Sequence, residues 1–405
     1  MTVVARGVGK KVAYKKEGSG WGVIAGASGA KYIRRVTSNF NLKKDVYESA
    51  EIRTDYQVAD SRAGVRSVDG AINGELSPGS YSDFMQSVVA RDFAAVTAAT
   101  GLSVTIATAG TLFTVARGSG SWLTDGFRVG QVIRLSGAGL NVANQANNLL
   151  ICNISSALSM TVKVLSTTTL VAEGPIATVT ATVQGKTTYA PLSGHTDDSY
   201  TVEEWYSDIA QSEVYTGLKV GTMAVQLPAT GMVTTDFTFM GKNLEQTGTS
   251  QYFTTPTNAN TNGITTAVQG VMLVGGVPVA LITSMDFSVE RSLEAANVVG
   301  SNFAADVFTG RIKATGNMST YFIDNTYRDY YNNETPISIV VALTTDGTKT
   351  AQCLTFTMPR VKLGSADKSD SEGGITQSHT FTALLNSDTA TGLEATTIQI
   401  NDTSI

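Results

Sequence analysis

Histidine is the side chain best suited to acid–base chemistry at neutral pH, and the sequence contains two, His195 and His379. His195 follows a Ser-Gly dipeptide in a turn-like segment, and His379 lies in a stretch with strand character. A catalytic pair would need a nucleophile within hydrogen-bond reach of one of them, and no spacing in the sequence indicates such a partner. We therefore interpret both histidines as structural, either solvent-exposed or hydrogen-bonded.

Clustered carboxylates are the second group that could do chemistry. Asp367, Asp370 and Glu372 lie in a Gly-rich segment and offer oxygen ligands for a cation. A calcium loop places its ligands at alternate positions around a fixed glycine, and this segment does not, so we predict a mobile acidic loop. Glu203-Glu204 and Glu294 would suit glycoside hydrolysis only if two carboxylates stood a set distance apart, and the sequence gives no sign of that.

Glycine-rich segments and cysteines predict no ligand site either. Gly26–Gly29 is followed by Ala-Lys rather than by the Gly-Lys-Ser/Thr of a phosphate-binding loop, and Gly118–Gly120 lacks the strand–helix context of a dinucleotide site. The two cysteines, Cys152 and Cys353, are too few for a zinc site or a disulfide framework, so we predict buried, small apolar residues. The sequence therefore predicts a protein without cofactor or metal that is not an enzyme.

The composition favours β-structure. Charged residues make up 16% of the 405 residues, and there are 39 glycines but only 8 prolines. The net charge of −5 is unevenly placed, because residues 1–66 carry 13 Lys and Arg against 6 Asp and Glu, while the remainder carries 16 against 28. A basic front and an acidic remainder could be complementary assembly surfaces. No apolar run is long enough to span a membrane, and the N-terminus lacks the apolar core of a signal peptide.

One stretch of the chain occurs twice. Shifting residues 36–84 by 246 positions places Gly70 on Gly316 and Tyr81–Phe84 on Tyr327–Tyr330. The shift holds over the whole stretch without a gap. The sequence therefore predicts a duplicated, β-rich unit.

Each copy is predicted to contain one helix between its strands. In the first copy Ser77-Pro78 opens the helix, and Ser80 and Asp83 resemble a capping box. In the second copy Asp324 is predicted to cap a helix over Tyr327–Tyr331. The apolar residues of the first helix share one face, which is expected to pack on a sheet: Tyr81, Phe84, Met85, Val88 and Val89.

The first copy is interrupted by residues 95–195, whose short strands at regular spacing are typical of a small β-sandwich or barrel. Met223–Pro228 resembles Leu354–Pro359 at a shift of 131, so the first copy is predicted to hold 115 residues that the second lacks. Residues 241–262 are predicted to be a linker. The predicted organisation is an N-terminal arm (1–30), a first domain (31–94 and 196–245), an inserted β-domain (95–195) and a second domain (263–405).

These features resemble the tail tube (major tail) proteins of long-tailed, siphovirus-like phages. The opening Val12–Glu17, followed by Trp21-Gly22, is similar to the start of that family. Gly310–Gly316, leading into the helix at Tyr327, is similar to its core, and Gly373–Ala383 to its last core hairpin. The resemblance covers nearly the whole chain except residues 95–195.

The resemblance implies a mainly β fold, with a β-sandwich or half-barrel and one flanking helix in each of two tube domains. It implies that tube domains pair edge to edge and close a ring whose inner β-barrel lines a channel for DNA. Because six tube domains per ring are usual in the family, two per chain predict a trimeric ring with pseudo-sixfold symmetry. The inserted β-domain is then expected on the outer surface of the tube.

The resemblance also implies partners. Rings are expected to stack through basic residues of the arm against an acidic face, and the candidates are Arg6, Lys10, Lys11, Lys15 and Lys16. Other expected partners are the tape measure, terminator and distal tail proteins and, transiently, phage DNA in a neutral or acidic lumen, without membrane insertion. The protein is expected in the virion tail after synthesis in the host cytoplasm.

Two alternatives remain open. The protein could be another virion component, such as a tail terminator or a capsid decoration protein, and self-assembly into long hollow tubes would distinguish these. It could also be a surface-binding β-protein or adhesin that uses residues 95–195 to bind glycans. Sugar binding by that isolated fragment would support the latter.

Overall fold

Antiparallel β-strands dominate the computed structural model, which describes residues 4–370 and 372–405. The mainly β fold predicted from the sequence is therefore confirmed. A 3-10 turn at Gly7–Gly9 precedes the first strand. The elements up to the first helix are β1 (Lys10–Lys16), β2 (Lys31–Tyr32), β3 (Thr37–Glu48), β4 (Ser61–Glu75) and α1 (Ser82–Val89).

Six strands after α1 close into a barrel of their own. They are β5 (Ala99–Ala109), β6 (Leu112–Arg117), β7 (Val132–Ser136), β8 (Leu149–Ser156), β9 (Ser159–Val164) and β10 (Glu173–Val183). Trp122 and Phe127 are fully buried in its core, with ring centroids 5.1 Å apart. Of the two architectures that the sequence left open for this region, the structure has the barrel.

The chain then returns to the large sheet with β11 (Lys186–Tyr189), β12 (Tyr200–Tyr206), β13 (Gln211–Leu227), β14 (Thr234–Gly241) and β15 (Asn243–Gly248). A second 3-10 turn, Ala267–Gln269, precedes the last group of elements. These are β16 (Gly270–Val274), β17 (Val277–Pro278), β18 (Ile282–Ala295), β19 (Val307–Tyr321), α2 (Thr326–Asn332), β20 (Ile337–Thr344), β21 (Cys353–Leu363), β22 (Asp367–Lys368), β23 (Thr376–Leu384) and β24 (Gln399–Asp402).

Strand order outside the barrel is the same in two parts of the chain. In what we call the first unit, neighbouring strands follow the order β1, β12, β13, β14, β4 and β3, and β15 pairs with one end of β13. In the second unit the order is β16, β20, β21, β23, β19 and β18, and β24 pairs with one end of β21. The helices take equivalent places, because α1 follows β4 and α2 follows β19.

The pairing registers correct the predicted repeat by one residue. Phe40 lies opposite Gly70, and Phe287 lies opposite Gly316. The strands β4 and β19 therefore keep the shift of 246, whereas β3 and β18 are related by 247. The first hairpin loop, residues 49–60, is one residue longer than the second, residues 296–306. A loop accommodates an extra residue at little cost, whereas a slip within a strand would turn every side chain to the other face.

The shift of 131 for the later strands is also wrong. Leu218 of β13 lies opposite Tyr200, and Val361 of β21 lies opposite Ile337, with a shift in register next to each pair, so β13 and β21 are related by a shift of 143. The difference between the shifts of 246 and 143 makes the extra segment before β13 103 residues long rather than 115. Thr-rich strands resemble each other at several shifts, and only their hydrogen-bond register distinguishes these.

Helix α1 packs its apolar face on the core as predicted, with Phe84, Met85, Val88 and Val89 buried. Its predicted capping box is wrong, because the helix begins at Ser82 and no side chain caps its N-terminus. The Asp83 carboxylate instead accepts hydrogen bonds from the hydroxyl of Tyr14 and the ammonium group of Lys31, both at 2.9 Å. The Asp83 carboxylate thus bonds residues that are distant in sequence instead of the N-terminus of its own helix.

The N-cap residue of the second helix is Asn325, whose side chain forms no capping bond, but the predicted Asp324, one residue earlier, bonds the first N–H of the helix. The Asp324 carboxylate accepts the backbone N–H of Thr326 at 2.8 Å, and this bond lowers the pKa of Asp324. The two helices nevertheless differ in burial, because no residue of α2 is fully buried. Tyr327 is its main contact, with its ring 5.0 Å from that of His379.

Two segments predicted to be extended or flexible belong to the sheet. β1 pairs with β12 along its whole length, and its Val12 and Tyr14 lie in the main core, so the predicted arm over residues 1–30 contains a core strand. Residues 243–248 of the predicted linker form β15 on β13. β15 is mostly polar, and the buried centre of β1, Val12–Tyr14, is flanked by a pair of lysines on each side, so local composition does not distinguish either strand from a loop.

The barrel packs against β16 and β20 of the second unit. Leu273, Val340 and Ala342 of that unit belong to the same apolar cluster as the barrel core. In the first unit the equivalent face is covered by a loop, in which the backbone N–H groups of Tyr252 and Phe253 donate to the Glu203 carboxylate at 2.6 and 2.9 Å. The two units therefore share one strand order, but the barrel packs on this face of the second unit and a loop packs on the equivalent face of the first.

Candidate functional site: a polar sheet face between two open edges

Four strands of each unit join into one continuous sheet of eight. Its order is β3, β4, β14 and β13 from the first unit, followed by β18, β19, β23 and β22 from the second. The units meet at a seam where β13 pairs with β18, from Thr222 opposite Glu290 to Leu227 opposite Met285. Among the described residues β3 pairs only with β4 and β22 only with β23, so the sheet has two open edges.

One face of this sheet is the apolar core. At the seam, Val225 lies opposite Phe287, and the ring of Phe287 stands 5.1 Å from that of Phe356. Met223, Val225 and Leu227 on one side of the seam and Met285, Phe287 and Val289 on the other are all buried. Because both units bury apolar side chains in this single core, the seam holds the two units together as one continuous sheet.

The other face carries polar side chains in rows that run across the strands. One row follows strand partners from β3 to β23 and is polar except at Ala224: Thr37, Asn73, Asp236, Ala224, Ser288, Thr315 and Thr382. The next consists of Glu75, Thr234, Gln226, Asp286, Asn317 and Thr380. Side chains alternate between faces in a strand, so the sheet that buries Phe287 and Val225 must display these small polar groups.

Acidic groups exceed basic groups on this polar face. The acidic residues include Asp69, Glu75, Asp236, Asp286, Glu290 and Asp367, and the basic residues include Lys43, Lys313 and Arg311. Both lysines stand beside carboxylates, since Lys43 forms an ion pair with Asp69 and Lys313 lies opposite Glu290. Burial raises the pKa of Asp236. The face is therefore neutral to acidic and offers no free basic row to a polyanion.

The sequence did not single out this face. Its signal was the alternation of Thr, Ser and Asn with apolar residues in β4, β14, β19 and β23. That pattern indicates a half-buried strand but does not say which strands share a face. Only the pairing order brings the rows together.

The five basic residues predicted for self-assembly have different environments. Lys10 is 2.6 Å from the buried Glu204, and Lys16 is 2.7 Å from the buried Asp198, so both are held within the chain. Lys15 donates to the carbonyls of Gly26 and Ser28. Arg6 and Lys11 are the exposed members of the group whose side chains form no ion pair among the described residues.

The remaining candidate residues have structural roles. Glu203 accepts the Ser212 hydroxyl at 2.6 Å, and burial raises the pKa of its neighbour Glu204. Cys152 and Cys353 are buried free thiols, as predicted, and burial raises the pKa of each to about 12. His195 is exposed in a loop. Asp367 lies on the open edge β22, with Asp370 and Glu372 just beyond it.

His379 provides a pH test of the fold. The imidazole is buried, contacts the Thr320 hydroxyl and the Ser365 carbonyl at 3.3 Å each, and has its pKa lowered by burial. Because the unfolded chain then binds the proton more readily, this residue destabilises the fold as the pH falls below about 6.5, by up to ~1.4 kcal/mol per pH unit until the folded-state pKa is reached. Urea unfolding at pH 7.5 and 5.0 should show a smaller acid loss in a His379→Gln variant than in the wild type. An equal loss in both proteins would contradict this assignment.

Within residues 4–370 and 372–405, no group of three or more His, Cys, Asp and Glu side chains is arranged to hold a metal ion. No helix in the same part of the chain is long and apolar enough to cross a membrane.

Comparison with known proteins identifies the family. A family model described as phage tail tube protein matches residues 7–383, which is nearly the whole chain. A comparison with curated proteins gave no match. The matched region spans both units, the seam between them and the barrel. The chain therefore belongs to the phage tail tube protein family, whose members are structural components of the phage tail.

Proposed function

We propose that this protein polymerises into stacked rings that form the hollow tail tube through which phage DNA passes. The observation that carries this proposal is the eight-stranded sheet with a polar face and two open edges. An open edge presents unpaired backbone N–H and C=O groups, which makes it a template for another strand. Contacts between two different edges are heterologous, and they close into a ring if the rotation per copy closes.

Each ring should contain three chains. The two units share one strand order, and the seam between them is itself an edge-to-edge contact between equivalent units. If the contact between chains repeats that contact, each unit occupies one sixth of the ring. Three chains then complete a pseudo-sixfold ring whose inner barrel has 24 strands, eight from each chain.

The polar face is proposed to line the channel. Its neutral to acidic character would repel the phosphates of duplex DNA, so that DNA slides instead of binding. The barrel of β5–β10, seated on the opposite side of the second unit, would then project outward at every second position of the ring. Tape measure, terminator and distal tail proteins are the proposed partners inside and at the ends of the tube, and the protein would be made in the host cytoplasm.

Stacking through the basic N-terminal segment is proposed in a narrower form. Lys10 and Lys16 are already neutralised by Glu204 and Asp198, which leaves Arg6 and Lys11 as the side chains available to a neighbouring ring. Deleting residues 1–20 would not test stacking cleanly, because it would remove β1 from the core. Replacing Arg6 and Lys11 by glutamate leaves β1 in place and changes only the surface charge, so this variant tests the contribution of these two side chains to stacking.

Cryo-electron microscopy of the purified protein tests the proposal. We expect hollow tubes with three chains per ring and an outward density at three positions. Six chains per ring would overturn the trimer. Globular particles that form no tubes at any concentration would favour a terminator or decoration protein, and an adhesin role would require sugar binding by the barrel.

A further inference from the structure

The seam within the chain joins β13 of the first unit to β18 of the second, and the equivalent edges, β22 and β3, are the two open edges of the sheet. The following inference rests on the proposed ring. It concerns the residue-by-residue register with which one copy meets the next.

A shift in strand register that occurs in both units shows which residues of β13 and of β21–β22 are equivalent. Leu218 lies opposite Tyr200, and Val361 lies opposite Ile337, with a shift in register next to each pair. This relates the first unit's strand to the second unit's strand by 143 positions. The same shift places Gly221, where the pairing of β13 with β14 is interrupted, on Gly364, which lies between β21 and β22.

Equivalent positions in β3 and β18 are fixed in the same way. Phe40 opposite Gly70 corresponds to Phe287 opposite Gly316, which relates the two strands by 247 positions. In both hairpins the phenylalanine is buried. The polar and apolar faces of β3 and β18 therefore coincide.

We propose that β3 of one copy pairs antiparallel with residues 365–370 of the next copy, with Asn41 opposite Asp367. Carrying the seam pair Ala224–Ser288 through the two shifts gives this register. It also places Leu42 opposite Ala366, both half-buried in the isolated chain, on the core side. Asn41 and Asp367 fall on the polar face, as Ser288 and Ala224 do at the seam.

Charge at the two edges is complementary. The β3 edge carries Lys43 and Lys44, whereas the other edge carries two carboxylates, Asp367 and Asp370, against one lysine, Lys368. In the proposed register Lys43 stands diagonally across from Asp367 on the polar face, within reach of a long side chain. The acidic segment around Asp367 and Asp370 would thus lie beside a lysine-bearing strand of the neighbouring copy.

The hairpin loops support the same contact. At the seam, the second hairpin loop reaches over the first unit: the Arg66 N–H donates to the Asn302 carbonyl at 2.9 Å, and the Arg66 guanidinium lies 5.4 Å from the Phe303 ring. The residue equivalent to Arg66 is Ile312, at the shift of 246. The first hairpin loop would reach Ile312 of the next copy, and it is this loop that carries Ile52 and Tyr56, which are 103% and 98% exposed in the isolated chain.

Cysteine cross-linking of assembled tubes tests the register. Side chains directly opposite one another in antiparallel strands have Cβ atoms about 4.5–5.5 Å apart, close to disulfide geometry. Under mild oxidation the Asn41→Cys/Asp367→Cys variant should give covalent trimers on a non-reducing gel, and each single variant should stay monomeric. Ala224→Cys/Ser288→Cys is the matched positive control, since it places the same pair at the seam and should close within one chain. Cys152 and Cys353 are buried and can be retained.

A pair of cysteines placed two residues out of register is the negative control for the proposed pairing. Asn39→Cys with Asp367→Cys moves one partner by two residues and should cross-link far less. If the slipped pair gives more trimer, or if rings form and the seam control closes while Asn41→Cys/Asp367→Cys stays monomeric, the register is wrong although the proposed ring stands. If the wild type forms no rings, the proposed function fails, and this contact fails with it.

Discussion

Replacing Phe84 by alanine is expected to lower the free energy of unfolding by about 3–5 kcal/mol, the range typical of a buried phenylalanine truncated to alanine. Phe84 is fully buried, and its ring centroid lies 4.8 Å from that of Tyr14, 5.3 Å from Tyr200 and 5.1 Å from Phe239. These partners belong to β1, β12 and β14, so the cavity would loosen the attachment of α1 to three strands at once. Urea unfolding followed by circular dichroism measures the loss.

Phe308→Ala is the matched control for this variant. Phe308 is 61% exposed on β19, and truncating an exposed side chain usually changes stability by no more than about 0.5 kcal/mol. If Phe84→Ala lost less than about 1 kcal/mol, the packing of α1 against the sheet would not be the anchor of the first unit.

If the polar face lines the channel of the proposed tube, placing lysines on that face is expected to make assembled tubes retain DNA. Asp286→Lys together with Thr238→Lys changes two exposed positions on that face without touching the core. Because every chain of a ring carries both changes, the channel would gain repeated basic bands that neutralise phosphates. We expect short duplex DNA to sediment with variant tubes at low salt and to be released steeply as salt rises.

The matched control makes the same change of charge elsewhere. Asp388→Lys together with Ser155→Lys adds the charges at exposed sites outside the polar face. These tubes should retain much less DNA than the polar-face variant. Equal retention by both variants would show that net charge, rather than the lining of the channel, governs DNA binding. Phages that carry the polar-face variant should also eject DNA more slowly at low salt.

The local sequence pattern was sufficient to predict many of the strands and the buried face of the first helix. Alternating short strands predicted the elements of the barrel, and the 3.6-residue periodicity of Phe84, Met85 and Val88 predicted the buried face of α1. The repeat at a shift of 246 located the equivalent strands β4 and β19. These inferences succeeded because side-chain alternation and helical periodicity are properties of neighbouring residues.

Errors arose where distant partners decide the outcome. β1 and β15 have the composition of loops, yet each pairs with a strand about two hundred or about thirty positions away and so belongs to the sheet. Asp83 bonds Tyr14 and Lys31 instead of capping its helix, and the shift of 131 failed because hydrogen-bond register is not visible in composition. No local rule contains these contacts.

By itself the sequence determined a mainly β chain, and it predicted an internal repeat with one added β-module, since composition, periodicity and internal similarity can be read from the sequence without knowing which strands pair. The tertiary structure alone decided that four strands of each unit join in one sheet, that their polar residues align in rows, and that β3 and β22 remain open. Strand pairing connects residues far apart in sequence through backbone groups that every residue carries, so side-chain identity does not reveal it. The seam between β13 and β18 therefore had to be seen before a contact between chains could be inferred from it.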